Sequence, residues 1–579
     1  MTVATLVVTV EEFEGAEVSM RQGGRMNFDV ESLFNRRADE RWNRTAVGDI
    51  LERMTWSEPD KVALTAAPEA VGDPRYARVT YRQANETANR LANGLLATGL
   101  SRGERVAMLC ENSVEAYLTK MAVAKAGLVV VPINPMMAPD VVEHMLGFVG
   151  ARAAVVDSGL WARGGAAFVR AGVAPLVGIG ADEALPPGAT SFHSLVTGAS
   201  AQEPDVRIHG DDIWEILLTS GTTAMPKAVM ISHTYSYMAA MSHAMSYTRN
   251  LALESDFKMC TFLPIIYHVG DHAYVLSTFL TGGSSILGRK PLGPGIASAV
   301  TSERATALWG GSPQLLGDFV REVSDHQDAY DVSSLEVIIF GWSAMSPTMA
   351  AELTRLCGGR VELVGIFGQT EAIACHRFWP NRWPELHART APQTNYVGVP
   401  TPLLGATVVD EAGRSLHDRP GEQGEAVYRS PAMSSGYYRD EAATREAFRD
   451  GWFHSGDMCE YGEDGLRVMV DRYKDVIKSG GENVSSIRVE SVLTMHPSVD
   501  RAAVVGVADE RWGEAVTAVV VPARDHTIDE GELVAFCRRH LANFETPKRV
   551  VVLDELPVTV GGKVLKYRLR EWLTKGEIS

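Results

Sequence analysis

Residues 213–228 read Ile-Trp-Glu-Ile-Leu-Leu-Thr-Ser-Gly-Thr-Thr-Ala-Met-Pro-Lys-Ala: an apolar run of strand length, then a loop of hydroxyl side chains, one glycine and one lysine. Hydroxyl donors, backbone amides around a glycine turn and a point charge suit a loop that wraps the oxygens of a polyphosphate. The Gly-Lys-Ser/Thr ending of the Walker form is missing. The segment therefore predicts a phosphate-binding loop after a buried strand, with a Ser/Thr-rich surface turn as the alternative.

The rhythm of strand and helix continues on both sides of this loop. Apolar residues recur at spacings of three and four from Tyr81 to Leu96, which predicts one face of an amphipathic helix. A second helix is expected at residues 114–126. Strands separated by helices predict parallel βαβ units and an α/β fold class. Apolar runs of strand length lie at residues 106–109, 127–132, 153–156, 335–340 and 360–364.

The pattern changes twice toward the C-terminus. Between residues 395 and 470, glycines and prolines punctuate short strands, which predicts a smaller β-rich unit. After Asp471, apolar runs of strand length and a helical pattern follow one another again, which predicts a separate small α/β domain. We expect an N-terminal extension at residues 1–25, a large domain at 26–473 and a small domain at 474–579.

The composition favours a soluble protein of a reducing compartment. The 579 residues carry 55 basic and 72 acidic side chains, a net charge of −17, which argues against nucleic acid or an anionic membrane as a partner. The six cysteines show no C-x-x-C spacing, which predicts reduced thiols and no zinc site. No secretory signal or membrane-spanning run is visible, so we expect a cytoplasmic protein.

Two further segments carry groups suited to a nucleotide. Gly365-Ile-Phe-Gly-Gln-Thr-Glu371 follows an apolar strand; its threonine suits a phosphate and its carboxylate suits Mg²⁺, and a capped helix start is the alternative. Gly451-Trp-Phe-His-Ser-Gly-Asp457 places a carboxylate after a turn glycine. That carboxylate suits ribose hydroxyls, with a simple β-turn as the alternative.

Two more segments stand at the domain boundary and near the C-terminus. Residues 471–484 read Asp-Arg-Tyr-Lys-Asp-Val-Ile-Lys-Ser-Gly-Gly-Glu-Asn-Val, which suits a hinge with a phosphate-binding Arg472, or a solvated linker. Gly561-Gly562-Lys563 supplies a lysine that is, by itself, equally typical of a surface loop.

The order and spacing of these segments resemble one family over nearly the whole chain, from about Thr45 to Glu571. The chain is similar to acyl-CoA synthetases of the adenylate-forming superfamily. The resemblance implies a large N-terminal domain of two α/β lobes plus a β-rich subdomain, and a small mobile α+β C-terminal domain. It also implies an acid-thiol ligase that makes a CoA thioester from a carboxylic acid through an acyl-adenylate, with ATP or acyl-AMP, CoA and Mg²⁺.

The resemblance also assigns roles to matching residues of the reaction centre. Lys563 would stabilise charge as the acid attacks the α-phosphate, an electrostatic role that depends on its being held in place. Glu371 would hold Mg²⁺, and Thr370 would touch the α-phosphate. His268 would be the gate between the acyl pocket and the thiol tunnel, with a core histidine as the alternative. The phosphate loop is matched by Thr219, Ser220, Gly221, Thr222, Thr223 and Lys227.

The remaining matches concern nucleotide, CoA, acyl group and hinge. Lys474 matches the hinge, about which the small domain would exchange Lys563 for the loop at residues 480–483. The acyl pocket would be formed by Tyr267, His268, Gly341 and Trp342. Nucleotide and CoA contacts would fall on Ser343, Gly365, Phe367, Asp457, Arg472, Lys478, Gly480 and Gly481.

The chain departs from the family pattern at several positions. Two loop positions that are usually glycine are Ala224 and Ala228; alanine forced into positive φ would cost about 1–2 kcal/mol and would point a methyl group toward the phosphates. Trp342 stands where the family usually has a glycine, between the adenine and acyl sites, and its side chain brings roughly 150–250 Å² of surface into that space. The alternative is that it only reshapes the acyl pocket. Ala344 replaces a common proline, and Arg488 a common acidic residue.

Three hypotheses follow from these departures. In the first, the protein is specialised for thioesterification of an acyl-adenylate made by a partner adenylating ligase, with weak or absent ATP-dependent adenylation. In the second, it is an ordinary two-step ligase for fatty, aryl or terpenoid acids. In the third, it is a catalytically inactive acyl- or nucleotide-binding protein, which the retained Lys563, Arg472 and Glu371 argue against. The aromatic pocket residues favour an apolar acid, including a bulky polycyclic one.

Overall fold

The computed structural model describes residues 44–181, 184–219, 225–247, 256–267, 269–558 and 564–578. Within these ranges no helix combines the length and apolar character needed to cross a bilayer. Five cysteines of the described part are buried and have free thiols: Cys110, Cys260, Cys357, Cys459 and Cys537.

The described residues form 26 strands and 16 α-helices. The strands are β1 Val62–Ala66, β2 Arg78–Thr80, β3 Arg105–Leu109, β4 Val129–Pro132, β5 Ala151–Asp157, β6 Pro175–Ile179, β7 Thr190–Ser191, β8 Ile213–Thr219, β9 Lys227–Ser232, β10 Lys258–Thr261, β11 Ser284–Leu287, β12 Ala307–Gly311, β13 Val337–Gly341, β14 Glu362–Gln369, β15 Ala372–Phe378, β16 Asn395–Pro400, β17 Gly405–Val409, β18 Gly424–Arg429, β19 Phe448–Arg449, β20 Trp452–Tyr461, β21 Arg467–Arg472, β22 Ile477–Ser479, β23 Glu482–Val484, β24 Val499–Asp509, β25 Gly513–Pro522 and β26 Arg549–Val552. The helices are α1 Glu52–Ser57, α2 Tyr81–Ala97, α3 Val114–Lys125, α4 Pro139–Val149, α5 Ser158–Arg170, α6 Phe192–Gly198, α7 His233–Tyr247, α8 Ser277–Thr281, α9 Gly293–Glu303, α10 Pro313–Asp325, α11 Pro347–Leu356, α12 Pro384–Thr390, α13 Glu441–Ala447, α14 Ser486–Leu493, α15 Glu530–His540 and α16 Lys566–Lys575.

The first sheet has seven strands in the order β7-β6-β5-β3-β4-β8-β9. Its strands are parallel up to β8, and β9 is antiparallel to β8. The amphipathic helix expected near its start is α2, which begins with a reciprocal capping box between Thr80 and Gln83. The apolar runs therefore form the parallel βαβ units that the sequence predicts, and β8 ends at the loop quoted above.

The second sheet has fourteen strands, and its parallel part, β1 and β10 to β14, is the second α/β lobe. Beyond β14 the sheet continues with β15, β16, β21, β20, β18 and β17. The β-rich unit is thus hydrogen-bonded to the second lobe through β15 and β16. Sequence composition marks the change in character but does not reveal this continuity.

The small C-terminal sheet has the order β23-β22-β25-β24, with β26 added parallel to β25. The long β24–β25 pair carries an apolar core on each face, as expected for a sheet covered on both sides. Val489 and Leu533, from α14 and α15, pack on one face, and Leu569 of α16 packs on the other.

Candidate active site

The candidate site lies where parallel strands of the second lobe end. β12, β13 and β14 are neighbours and parallel, so their carboxyl ends meet at one edge. Ligands of open α/β sheets bind at such edges. Trp342 directly follows β13, and Thr370 and Glu371 directly follow β14, so these residues share that edge.

The ends of the phosphate loop are held by an antiparallel strand pair. Thr219 of β8 is opposite Lys227 of β9, and its hydroxyl donates to the Lys227 carbonyl at 3.4 Å. Ser220, Gly221, Thr222 and Thr223, together with Ala224, lie outside the described residues. Their assigned roles stay predictions.

Ala228 contradicts the expectation of a strained alanine that points at phosphate. It pairs with Leu218 inside the extended strand β9, and its carbonyl accepts a hydrogen bond from the Tyr438 amide at 2.8 Å. It is 3% exposed and packs in the apolar core that contains Ile216. The methyl group is therefore buried under the sheet, because strand pairing on both sides keeps this backbone extended.

Glu371 and Lys227 are joined through Tyr437. The Tyr437 hydroxyl donates to Glu371 Oε1 at 2.7 Å, and the Lys227 ammonium lies 4.3 Å from the centre of the Tyr437 ring. Burial and the Glu371 charge raise the pKa of Tyr437, so the phenol keeps its proton and remains a donor. The structure thus brings two predicted residues together through a third that sequence reasoning missed.

Thr370 and Glu371 form the tight turn between β14 and β15, and the alternative of a helix start is wrong. β14 and β15 are antiparallel, with Gln369 opposite Ala372. The buried Tyr235 hydroxyl donates to the Thr370 carbonyl at 3.0 Å. The hairpin turn places the side chains of Thr370 and Glu371 together at the end of β14. In the first turn of a helix, successive side chains would point in different directions around the helix axis.

Glu371 fits the Mg²⁺ role by its chemistry. Mg²⁺ in nucleotide sites is usually held by one or two carboxylates together with substrate phosphates and water. Glu371 is half-buried, and its Oε1 is oriented by Tyr437. One oriented carboxylate beside the end of a candidate phosphate loop is such a donor set, and the ion would neutralise phosphate charge.

Asp457 and Arg472 form an ion pair on neighbouring strands. They are opposite each other in β20 and β21, and Arg472 Nε lies 3.1 Å from Asp457 Oδ1. The Asp457 charge raises the pKa of Arg472. Gln369 donates to the other carboxylate oxygen of Asp457 at 3.3 Å. Asp457 is therefore a buried strand residue, and the reading of this segment as a simple turn is wrong.

Trp342 has a backbone conformation that favours glycine. Its φ is 68°, in the left-handed region where a bulky side chain is an outlier. The indole is 45% exposed and lies edge-on to Trp309, with ring centres 5.6 Å apart. Trp309 in turn stacks on Tyr274 at 4.7 Å. These three residues, which we call the aromatic wall, continue from the sheet edge toward the helical segment after Tyr267.

Other predicted wall residues lie around this point. A Cβ on Gly341 would be 3.1 Å from the Ile366 carbonyl, and one on Gly365 would be 3.2 Å from the Phe340 ring, so a side chain at either position would crowd its neighbours. Phe367 of β14 is half-buried, and Ser343 follows Trp342 in the same loop. Their contacts with adenine stay predictions.

The gate region is described only in part. Tyr267 is half-buried, and its carbonyl accepts a hydrogen bond from the Gly270 amide at 2.8 Å. A π-helical segment, Val269–Leu276, follows; such segments occur frequently at functional sites. His268 lies outside the described residues, and its gate role stays a prediction.

The small-domain residues lie on a separate surface. Lys478, Gly480 and Gly481 belong to the β22–β23 hairpin, whose Gly480 amide donates to the Trp512 carbonyl at 2.7 Å. The side chain of Lys478 and both glycines are exposed, and so is Lys474. Lys563 lies outside the described residues. The hinge and the exchange of Lys563 for this hairpin stay predictions.

Tyr437, Gln369, Trp309 and Tyr274 are the site residues that sequence reasoning missed. Gln369 stands inside the quoted segment before Glu371, so its position was the available signal. Tyr437 lies 66 residues after its partner Glu371, so no local sequence pattern predicts that contact.

Comparison with known proteins identifies the family. The profile of the AMP-binding enzyme family matches residues 51–438, and that of the AMP-binding enzyme C-terminal domain matches residues 488–563. The chain is 32% identical over 498 residues to a feruloyl-CoA synthase of Amycolatopsis sp, covering 85% of this chain and 93% of the relative. It is 30% identical over 530 residues to the long-chain-fatty-acid–CoA ligase FadD13 of Mycobacterium tuberculosis, covering 90% and 98%.

A solved structure supports the fold. The anthranilate CoA ligase AuaEII, in complex with anthranoyl-AMP, superposes with a TM-score of 0.80 at 22% identity, covering 92% of this chain and 98% of that one. Two family profiles span most of the chain in the order of its large and small domains, and the fold agrees with them. The chain therefore belongs to the AMP-binding enzyme family and is an acyl-CoA synthetase with the adenylate-forming enzyme fold.

Proposed function

We propose that this chain carries out both half-reactions of an ATP-dependent ligase, on an apolar carboxylic acid with a flat ring. The observation that carries the proposal is the turn at residues 369–371. Gln369 contacts the Asp457–Arg472 pair, and Glu371 contacts Tyr437, which lies under Lys227. One short turn thus links Asp457, a carboxylate that suits ribose hydroxyls, with two cations, Arg472 and Lys227, that suit phosphates. A nucleoside triphosphate needs both kinds of group.

In the first half-reaction, a carboxylate oxygen of the acid attacks the α-phosphorus of ATP. The bond from that phosphorus to pyrophosphate breaks, and pyrophosphate leaves with the electron pair. Lys227 and Arg472 would balance the phosphate charge, Asp457 would bind the ribose, and Thr370 would touch the α-phosphate. Lys563 is the candidate for the cation that stabilises the attack. These groups would act through charges that are in place before the reaction begins. Such preorganised charges make the largest contribution to the rate enhancement of many enzymes.

In the second half-reaction, the CoA sulfur attacks the acyl carbon of the adenylate. The acyl–oxygen bond breaks, AMP leaves, and the thiol proton passes to solvent or AMP. Rotation of the small domain about Lys474 would bring Lys478, Gly480 and Gly481 toward this step, and His268 would gate the thiol path. The free, buried thiols fit a reducing compartment such as the cytoplasm.

The aromatic wall supports the choice of acid. Trp342 is exposed at the sheet edge, and the buried Trp309 and Tyr274 pack behind it and support its ring. Aromatic rings prefer offset-stacked or edge-to-face partners, so a flat aryl acid suits this wall. The same indole takes up space, which disfavours a bulky polycyclic acid.

A second candidate is thioesterification of an acyl-adenylate supplied by a partner ligase. The observation in its favour is Trp342, which narrows the edge between the candidate adenine and acyl positions. The steric argument from the loop loses its Ala228 half, because that methyl group is buried in the core; the Ala224 half lies outside the described residues. For this reason the two-step reaction is the better supported of the two.

The test measures the half-reactions separately. Pyrophosphate release is followed with ATP and an aryl, a long-chain or a polycyclic acid, and thioester formation is followed from CoA and synthetic acyl-adenylate. We expect both activities, with the aryl acid preferred. Thioester formation from the adenylate without acid-dependent pyrophosphate release would instead establish the second candidate.

A pair of tyrosine variants tests the role of the turn. Tyr437→Phe removes the hydrogen bond to Glu371 but keeps the ring under Lys227, so pyrophosphate release should fall about tenfold, the value of one hydrogen bond to a charged group. Tyr438→Phe is the matched control, because the Tyr438 ring packs on Phe148 instead. Equal losses in the two variants would show that the hydrogen bond from Tyr437 to Glu371 has no specific role in the reaction.

A further inference from the structure

Three hydrogen bonds join the end of β21 to the start of α14, across the candidate hinge at Lys474. Asp471 Oδ2, at the end of β21, accepts from the Ser486 amide at 2.6 Å and from the Ser486 hydroxyl at 2.7 Å. The Ser485 hydroxyl donates to the Val470 carbonyl at 2.8 Å. Ser485 and Ser486 are the N-cap and the first residue of α14. Residues before and after the hinge are therefore bonded directly.

Asp471 also contacts the nucleotide side of the hinge. Its Oδ1 accepts from the Arg472 amide at 2.7 Å, and the Arg472 side chain pairs with Asp457. The carboxylate of Asp471 is 1% exposed, and buried charges require compensation. One buried carboxylate thus fixes both the backbone of the candidate phosphate-binding arginine and the first turn of the small domain.

A positive charge that compensates the buried Asp471 carboxylate comes from α16, the last helix of the small domain. Lys566, at the start of α16, donates to the Ser486 hydroxyl at 2.6 Å and pairs with Glu490 Oε1 at 2.7 Å. Ser486 therefore accepts from Lys566 while it donates to Asp471. Asp471, Ser486, Lys566 and Glu490 thus form a continuous row of polar groups, of which Asp471 and Ser486 are buried and Lys566 and Glu490 half-buried.

We propose that Asp471 is a positioning residue that holds the small domain, through Ser486, in the orientation seen here. Rotation about Lys474 moves Ser486 relative to Asp471, so these bonds must break in any other orientation. The hairpin with Lys478, Gly480 and Gly481 is exposed in the present orientation. The bonds therefore favour the state that precedes the proposed swing, and their loss shifts the balance toward the second half-reaction. This inference rests on the proposed two-step function.

Ser486→Pro is the sharpest variant. Proline lacks the amide hydrogen and the hydroxyl, so both bonds to Asp471 are lost, while proline is well tolerated at the first position of a helix. Ser485 has φ −72° and ψ 117°, a conformation that a residue before proline readily adopts. Asp471→Asn is a second variant, which keeps the shape of the side chain and removes its charge.

Glu545→Gln is the matched control. Glu545 pairs with Arg488 of the same helix α14 at 3.0 Å, and both residues follow the hinge. This variant breaks an ion pair at α14 and leaves the bonds from Ser485 and Ser486 to β21 intact, so the orientation of the domain should change far less than in Ser486→Pro.

The primary readout is the distance between spin labels on the two domains, introduced by Asp418→Cys and Arg524→Cys at exposed positions. Loss of both charge-assisted bonds should change the ratio of orientations about 100-fold in Ser486→Pro, and loss of the charge alone should change it about tenfold in Asp471→Asn. Glu545→Gln should resemble the parent, and the melting temperature of Ser486→Pro should stay close to that of the parent. A distance distribution of Ser486→Pro identical to that of the parent would overturn the proposal.

The kinetic readout separates this inference from the function on which it rests. In Ser486→Pro, the rate of pyrophosphate release should fall relative to thioester formation from supplied adenylate, by a factor similar to the change in orientation. If the distances change but no protein releases pyrophosphate, the positioning role stands and the two-step function falls. If the distances change and the ratio of the two rates does not, Asp471 does not position the domain for catalysis.

Discussion

Residues 228 and 342 are both positions where the resemblance to the family implies glycine, and both carry side chains in this chain, but their environments differ. Ala228 is extended within β9, and its methyl group is buried in the core. Trp342 keeps a left-handed φ of 68°, and its indole is 45% exposed. Replacement of glycine thus costs little where strands fix an extended backbone. It stores strain where the loop retains the glycine conformation.

Because their environments differ, substitutions at residues 228 and 342 should have different effects. Strained residues persist where the surrounding structure determines them, and they are common at ligand sites. Trp342 stands at such an edge, beside the turn that carries Glu371, whereas Ala228 faces the interior. We therefore expect residue 342 to affect the choice of acid and residue 228 to affect stability only.

The largest expected effect is on acid selectivity. Trp342→Gly and Trp342→Ala both remove the indole, so both should change the ratio of kcat/KM for a polycyclic acid over an aryl acid by about 10–100-fold, as pocket volume does in other enzymes. Thioester formation on a panel of acids measures this ratio. An unchanged ratio in both variants would mean that the indole does not contact the acyl group.

The second prediction concerns Ala228→Gly. Because a glycine inside a strand adds chain entropy to the unfolded state and removes a buried methyl group, the free energy of unfolding should fall by about 1 kcal/mol. Pyrophosphate release should stay within about twofold of the unmodified protein, since the methyl group faces the core. Denaturant unfolding and a pyrophosphate assay check the two values, and a tenfold rise in pyrophosphate release would break the comparison.

The smallest effect isolates the strain at residue 342. Trp342→Gly and Trp342→Ala lose the same ring, but alanine retains the penalty of positive φ. The glycine variant should therefore be more stable than the alanine variant by about 1 kcal/mol. Equal stability, measured by denaturant unfolding, would show that the loop relaxes when the indole is removed.

Much of the fold could be predicted because buried strands produce apolar runs. The run at residues 153–156 lies within β5, and the run at 213–218 lies within β8. The turn at Thr370 and the antiparallel strand β15 that follows it could not be predicted in the same way. A Thr-Glu pair after a strand is compatible with a helix start, and only the pairing of β14 with β15 decides.

The site shows the same limit. Local segments predict Lys227, Glu371, Asp457 and Arg472 as candidate site residues, and the structure brings them together in pairs. The linking residue Tyr437 could not be identified, since its contact depends on a segment that pairs with β9 from over 200 positions away. The conformation of Ala228 was misjudged for the same reason: the Tyr438 amide that holds it is distant in sequence.

The central claim is that the unmodified protein performs the first half-reaction itself. Exchange of labelled pyrophosphate into ATP, measured with acid and without CoA, reports that step alone. The account predicts acid-dependent exchange at an ordinary ligase rate, on the order of 1–10³ per second. No exchange from a protein that still converts synthetic acyl-adenylate and CoA to the thioester would contradict it.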